Sequence, residues 1–208
     1  MLNEILQKMI LLGIVSFTFS INPPYPVNRM NDEINKIIMN GGVHVKADSN
    51  QTTDYGNHFH GEILVNAPIR KVYETIKDFQ NYPKFMPHIN QVDTITINGK
   101  LNFRYFLDLP LGIKYKYQIS DESFFSKEIS WLTWQLENWD ENSIEETWGQ
   151  WIISPHNYSD STLIQYQVYT KIGQIPYGFN WIVILLTEKS LPDVLLNTKK
   201  WIEHNEKN

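Results

Sequence analysis

The chain has 208 residues, 42% of them hydrophobic and 20% charged, with ten Gly and ten Pro, the composition of one globular domain rather than of a disordered or collagenous chain. Eighteen Lys and Arg stand against twenty-three Asp and Glu, a formal charge of −5, and no run of five like charges offsets it locally, so nucleic acid is not an expected partner. The absence of Cys excludes disulfides, thiolate zinc sites, iron–sulfur clusters and cysteine nucleophiles.

No charge occurs between Lys8 and Arg29, and Met9 to Ile21 is a 13-residue apolar run broken by Asn22-Pro23-Pro24. A helix of that length reaches about 20 Å, short of the ~30 Å hydrocarbon core of a bilayer. Thr18-Phe19-Ser20 offers small residues where a signal peptidase reads them. Residues 1–20 are therefore read as a signal peptide, which makes the protein exported, periplasmic or extracellular. The alternative is a membrane anchor formed by the same segment.

From Gly41 onward there is no internal repeat and no linker long enough to separate domains. A short strand is expected at Val43–Lys46 and a longer one at His58–Asn66. In Ala67–Asp78 the apolar residues Ile69, Val72, Tyr73 and Ile76 recur at i, i+3, i+4 and i+7 behind Asn66 and Pro68, which predicts an amphipathic helix. Asn98-Gly99 separates two β-type runs by two residues that tolerate positive φ, a strong hairpin signal. A two-residue loop pairs Ile97 with Lys100, Thr96 with Leu101, Thr94 with Phe103, Asp93 with Arg104 and Val92 with Tyr105. Val92, Thr94, Thr96, Leu101, Phe103, Tyr105 and Leu107 then share one face, taken as buried, and Asp93 and Arg104 form a cross-strand ion pair on the other.

After the turn at Pro110-Leu111-Gly112, Ile113 to Ile119 alternates, with Tyr115 and Tyr117 inward and Lys114, Lys116 and Gln118 toward water. Further strands are expected at Lys127–Leu136, Glu145–Ser154 and Thr162–Lys171, completing a curved antiparallel meander. Tyr177–Lys189 is apolar over most of a helical circumference, and Ser190-Leu191-Pro192-Asp193 reads as a fresh helix start.

His58, His60 and Glu62 are the one cluster of metal-ligand types. Because Phe59, Ile63 and Val65 take the inward parity of that strand, the three are expected to face solvent or a neighbouring strand's outer side, and no metal centre is expected. Glu145 and Glu146 are adjacent on a strand and cannot share a substrate; Glu145 alone has the parity to enter the interior. Serine-hydrolase, dinucleotide and phosphate-loop motifs are missing. Seven Trp, eleven Tyr and ten Phe supply many inward rings, and the hydroxyls of Tyr105, Tyr115 and Tyr117 suggest an internal cavity with polar anchors rather than a dry core. A void above ~300 Å³, the low end for ligand pockets, would favour binding over packing.

The words Asn66-Ala-Pro68-Ile-Arg-Lys-Val72-Tyr, Asp78-Phe-Gln-Asn-Tyr82-Pro83-Lys-Phe85-Met86-Pro87-His88, Gly149-Gln-Trp151-Ile-Ile-Ser-Pro155 and Thr162-Leu-Ile-Gln-Tyr166 resemble the START/polyketide cyclase-dehydrase (SRPBCC) superfamily. The resemblance covers roughly Gly56 to Trp201. It implies an α+β helix-grip fold, a curved antiparallel sheet around a long C-terminal helix with two short helices after the first strand. On that basis the chain divides into the signal peptide, a lead segment at 21–40 and a ligand-binding domain at 41–208. The implied cavity lining is Phe103, Tyr105, Tyr115, Tyr117, Trp131, Trp151 and Tyr166 from strands and Phe179, Ile182, Val183 and Leu186 from the helix, with Phe85 and Met86 near the mouth. The family shares no universal catalytic residue, so no catalytic group and no cofactor is implied.

The expected function is binding or carriage of a hydrophobic small molecule, whether lipid, isoprenoid, quinone or polyketide-like, with transient membrane contact as a further expected interaction. A cyclase or dehydratase-type enzyme using Glu145, His88 or a tyrosine is the alternative. A protein-interaction module built on Trp131, Trp134 and Trp139 is the second alternative.

Overall fold

The eight strands β1 (Val43–Ala47), β2 (Asn57–Val65), β3 (Ile89–Ile97), β4 (Lys100–Asp108), β5 (Lys114–Phe124), β6 (Ser130–Leu136), β7 (Glu146–Pro155) and β8 (Thr162–Lys171) form one curved sheet in the order β1-β2-β8-β7-β6-β5-β4-β3. Every neighbouring pair is antiparallel. The computed structural model describes residues 23–24, 30–47, 57–156, 160–172 and 190–204. The signal peptide expected at 1–20 and the helix expected at Tyr177–Lys189 lie outside them.

Preceding the sheet, helix α1 spans Asp32–Met39. Inside the curve, helix α2 (Ile69–Lys77) and the 3₁₀ segment Phe79–Lys84 follow β2 directly, and helix α3 (Ser190–His204) crosses β1 and β2. Val72, Tyr73 and Ile76 are the buried stripe of α2, as the spacing predicts. Leu195 and Ile202 of α3 are fully buried against Ile63, Ile153 and Ile164 of the sheet. The close approach of α3 depends on Gly61, where an added Cβ would lie 2.7 Å from Leu195 Cδ1 and 2.9 Å from the His44 carbonyl oxygen. This is the helix-grip architecture.

The hairpin register agrees with the expectation pair for pair, with Asn98 and Gly99 at φ 50° and 78°. Its burial is less uniform. Tyr105 is buried and Val92, Phe103 and Leu107 pack on the core, but Thr94, Thr96 and Leu101 are not covered in the same way because the tip runs beyond the helices that shield the rest of the face. Asp93 and Arg104 are opposite each other without forming the expected ion pair. Asp93 accepts a hydrogen bond from Gln91, while Arg104 donates to Gln118 Oε1 at 3.0 Å and lies 4.4 Å over the Trp139 ring. A guanidinium on an indole face gives up less hydration than one held against a lone carboxylate.

The larger departure is on the outer face. Helix α1, which falls within the expected lead segment, packs Ile34 and Ile38 against Leu64 and Leu163 on the convex side. Asn31 caps it, Oδ1 accepting from Ile34 N at 2.9 Å, and Asp32 and Glu33 complement the helix dipole. The rest of the outer face of β2 is buried as well. His58, His60 and Glu62, expected to face solvent or a neighbouring strand's outer side, are 8%, 9% and 0% exposed, which rules out the first. The inward parity of Phe59, Ile63 and Val65 holds; the solvent-facing alternative for the opposite face does not.

Candidate ligand cavity

Between the concave face of the sheet and α3 lies a cavity of about 170 Å³. Its aromatic wall comes from Tyr105 on β4, Tyr115 and Tyr117 on β5, Trp134 on β6, Trp151 on β7 and Tyr166 on β8. Phe79, Tyr82 and Met86 close one side, and Ser190, Leu191 and Val194 of α3 close another. Strand pairing explains the assembly. Tyr105 stands in register with Tyr117, and Trp151 with both Tyr166 and Leu132, so these side chains leave the sheet on one face as a continuous layer.

The rings touch in pairs rather than filling the space. Tyr105 and Tyr117 stack with centroids 5.2 Å apart, Trp151 meets Tyr166 at 4.2 Å, and Trp134 stacks on Tyr166 at 5.6 Å. Trp134 lies flat over Gly149, where any Cβ would overlap its indole. These stacks take up part of the interior, which is why the void is smaller than the ~300 Å³ expected of a drug-sized pocket. It remains large for a packing defect.

Of the residues expected to line the cavity, Met86, Tyr105, Tyr115, Tyr117, Trp151 and Tyr166 do so. Phe179, Ile182, Val183 and Leu186 lie outside the described residues. Three strand or loop positions are corrected. Phe85 stacks on Trp201 at 5.4 Å, away from the void. Phe103 sits one pleat nearer the hairpin tip and is taken up by Phe79 at 4.5 Å. Trp131 leaves β6 on the opposite face, where it stacks on Phe124; its neighbour in register is Ile152, not Trp151. Trp134 occupies the place assigned to Trp131, and the alternation Leu132, Trp134, Leu136 in the sequence already carried that signal. Trp131, Trp134 and Trp139 therefore occupy three different surroundings and make no common groove.

Polar groups in the cavity are few. Tyr82 donates to the Ile76 carbonyl oxygen at 2.6 Å. The hydroxyls of Tyr105, Tyr117 and Tyr166 make no hydrogen bond to a described residue, and none of them is a sealed, solvent-inaccessible atom. Burial pushes the phenols of Tyr82, Tyr105, Tyr117 and Tyr166 well above the ordinary tyrosine range, and neighbouring phenols add to it for Tyr82, Tyr105 and Tyr166. They are neutral donors at any physiological pH. Asp121, which the sequence did not single out, stands in register with Trp134; burial raises its pKa, and Lys77 and Lys100 partly hold it down. Glu145 stays at the rim, its carboxylate 3.0 Å from Lys171 Nζ. His88 lines the cavity with its backbone at φ 65°.

An eight-stranded antiparallel sheet that grips a C-terminal helix around a ring-lined void defines a START-like helix-grip domain. The sequence model of the polyketide cyclase / dehydrase and lipid transport family matches residues 65–173, and the chain belongs to that family. No curated protein matches it. Among solved structures it is similar to human StAR-related lipid transfer protein 5, at 11% identity and TM-score 0.65, over 98% of this chain and 95% of that one. A STAR-related lipid transfer protein from Xanthomonas axonopodis aligns at 15% identity and TM-score 0.59, over 78% of this chain and 94% of the other. The Zhui aromatase/cyclase from Streptomyces aligns at 14% identity and TM-score 0.58, over 71% and 94%. At these identities the likeness is one of fold.

Proposed function

We propose that the protein binds and carries a hydrophobic small molecule whose ring system lies in the cavity and whose oxygen atoms accept hydrogen bonds from the tyrosine hydroxyls. The carrying observation is the trio Tyr105, Tyr117 and Tyr166, which line an apolar void and whose hydroxyls find no protein acceptor among the described residues. An acyl chain satisfies none of them. A quinone or polyketide-like ring offers carbonyl oxygens, and an apolar cavity of about 150 Å³ is known to accept a single benzene-sized guest. The family's own description, polyketide cyclase / dehydrase and lipid transport, is consistent with such a ligand.

A carrier explains the site better than an acid–base enzyme does. Glu145 is held by Lys171 outside the cavity, and four buried neutral phenols surround the void without a base hydrogen-bonded to any of them among the described residues. Titration of tryptophan fluorescence with 1,4-naphthoquinone and with naphthalene tests the reading. Saturable quinone binding, tighter than that of the hydrocarbon, supports it; equal affinity, or no binding of either, overturns it.

Two further aspects of the reading concern place. The apolar run Met9–Ile21 supports export, which the intact mass of the mature chain from its native host checks: loss of residues 1–20 is the expected result. Leu111, 84% exposed in the turn between β4 and β5, supports transient membrane contact beside Leu107 and Tyr115 of the cavity wall. Among the described residues no helix is long and apolar enough to cross a membrane.

A further inference from the structure

The outer face of β1 and β2 carries a second constellation that the cavity does not use. His44 stands directly opposite Glu62 in the antiparallel register, and His60, two residues before Glu62, shares its face and lies diagonally across from His44. One ligand atom from each of the three lies within 4.8 Å of the others. Glu62 is wholly buried. Its Oε2 meets His44 Nδ1 at 2.6 Å, but Oε1 has no hydrogen-bond partner among the described residues. A buried carboxylate oxygen left without a partner is costly, and a cation is one of the few things that removes that cost.

We propose that His44, His60 and Glu62 bind a divalent transition-metal ion, with zinc the best match to the donor set. Two imidazoles and one carboxylate suit a borderline ion, whereas calcium and magnesium take oxygen ligands, and the chain offers no thiolate for softer metals. Zinc bonds of ~2.0–2.2 Å place tetrahedral ligand atoms roughly 3.3 Å apart. The cluster reaches that spacing by side-chain rotation, with His44 and Glu62 parting and the widest pair closing. His44, at 20% side-chain exposure, provides the route of entry and the side on which a fourth ligand such as water completes the shell.

The site lies on the face of the sheet opposite the cavity, since the residue between His60 and Glu62 is Gly61, which backs onto Leu195 of α3. Its role follows from topology. β1 is an edge strand of five residues with β2 as its one neighbour in the sheet. An ion shared by His44 on one strand and His60 and Glu62 on the other clips that edge in place. The site owes nothing to the identity of the cavity ligand.

The test is calorimetric titration of metal-stripped full-length protein with zinc chloride, beside His44→Ala and Glu62→Gln, with far-UV circular dichroism confirming that each variant is folded. One zinc per chain in the wild type, an affinity at least about tenfold weaker in His44→Ala, and a visible tetrahedral spectrum on substitution with cobalt(II) are expected, because losing a direct ligand costs no less than losing an outer-shell partner. Absence of saturable zinc binding by the wild type overturns the proposal. So does unchanged affinity in His44→Ala, which would assign the ion to histidines elsewhere, such as His156 or His204. If Glu62→Gln does not fold, His44→Ala decides, since its partly exposed ring is not among the buried core residues.

Discussion

Tyr105 and Tyr117 face each other across the β4–β5 ladder with ring planes 6° apart, the first buried and the second partly so, and both line the same void. A pair of phenylalanines would pack the same way without two polar atoms to desolvate. Placing phenols there costs stability in the free protein unless something accepts from them, and the family to which the chain belongs is one whose description includes the handling of polyketides and lipids. The pair is therefore the point at which folding and binding make opposite demands on the same side chains.

That opposition can be measured. In the double variant Tyr105→Phe and Tyr117→Phe, the ring stack survives and two hydroxyls without protein partners are lost, so stability should hold or rise, by up to about 1 kcal/mol. Affinity for 1,4-naphthoquinone should fall by roughly 5- to 30-fold, the worth of one or two hydrogen bonds at ~1 kcal/mol each, while affinity for naphthalene stays the same. Chemical denaturation and fluorescence titration of the same preparations give both quantities. A stability loss above about 2 kcal/mol, more than a typical hydrogen bond contributes, would show that the phenols already have partners in the free protein.

The buried phenols also set an alkaline limit. Their folded-state pKa values are raised above the unfolded value near 10, Tyr82, Tyr105, Tyr117 and Tyr166 alike, chiefly because burial disfavours the phenolate. A raised pKa means that the unfolded chain releases these protons first, so the stabilisation is complete below pH ~10 and is lost as pH climbs above it. Absorbance at 295 nm should show the exposed tyrosines titrating near pH 10. Tyr82, Tyr105, Tyr117 and Tyr166, which have raised values and line the cavity, should ionise later, in one step that coincides with loss of the near-UV circular dichroism. A single smooth titration of all eleven tyrosines would mean that the cavity is open to hydroxide in the folded state.

What the sequence could convey depended on distance along the chain. The Asn98-Gly99 hairpin was legible pair by pair because turn type and side-chain parity are both local, and the parity of Tyr105, Tyr115, Tyr117 and Trp151 followed from the same rule. Trp131 was misplaced although Leu132, Trp134 and Leu136 alternate legibly along the strand, because its own large ring was weighed above the polar Thr133 and Gln135 that share its parity. His60 and Glu62 were misread for a different reason. Parity reports which side chains share a face, but burial of the outer face depends on covering segments such as α1, which packs on Leu64 and Leu163 from far away in the chain. No pattern within β2 contains that information. The size of the cavity was equally beyond reach, because it is set by how Trp134 lies over Gly149 and how Tyr105 meets Tyr117.

Leu111 holds φ 65° with its side chain 84% exposed, a left-handed conformation that disfavours leucine and suits asparagine. For folding alone, Leu111→Asn should be neutral or stabilising by about 0.5–1 kcal/mol. If the side chain enters lipid, the same change removes up to ~2 kcal/mol of apolar burial, so co-sedimentation with phosphatidylcholine vesicles should weaken by roughly tenfold or more. Equal vesicle binding by the two proteins would remove Leu111 from the membrane reading and leave its conformation without a functional account.

Gly149 tests the cavity wall itself. Its missing side chain leaves room for the Trp134 indole, and an alanine Cβ would overlap both that ring and the carbonyl oxygen of Gln167 on the paired strand. The ring can move only toward the void, since Tyr166 stacks against it at 5.6 Å, whereas the carbonyl belongs to the ladder and cannot yield without breaking pairing. Gly149→Ala should therefore destabilise the fold by about 2–3 kcal/mol through overpacking, and in the fraction that folds it should push Trp134 into the guest's space. Two readouts separate the effects. Thermal denaturation reports the first, and 1,4-naphthoquinone titration below the melting transition reports the second, with an expected loss of roughly tenfold or more in affinity, the equivalent of ~1.4 kcal/mol. The companion variant Trp134→Phe, which shrinks the ring in front of Gly149, should enlarge the cavity and restore much of that binding when combined with Gly149→Ala. Failure of the combination to recover affinity would mean that the carbonyl of Gln167, rather than the indole, fixes glycine at this position.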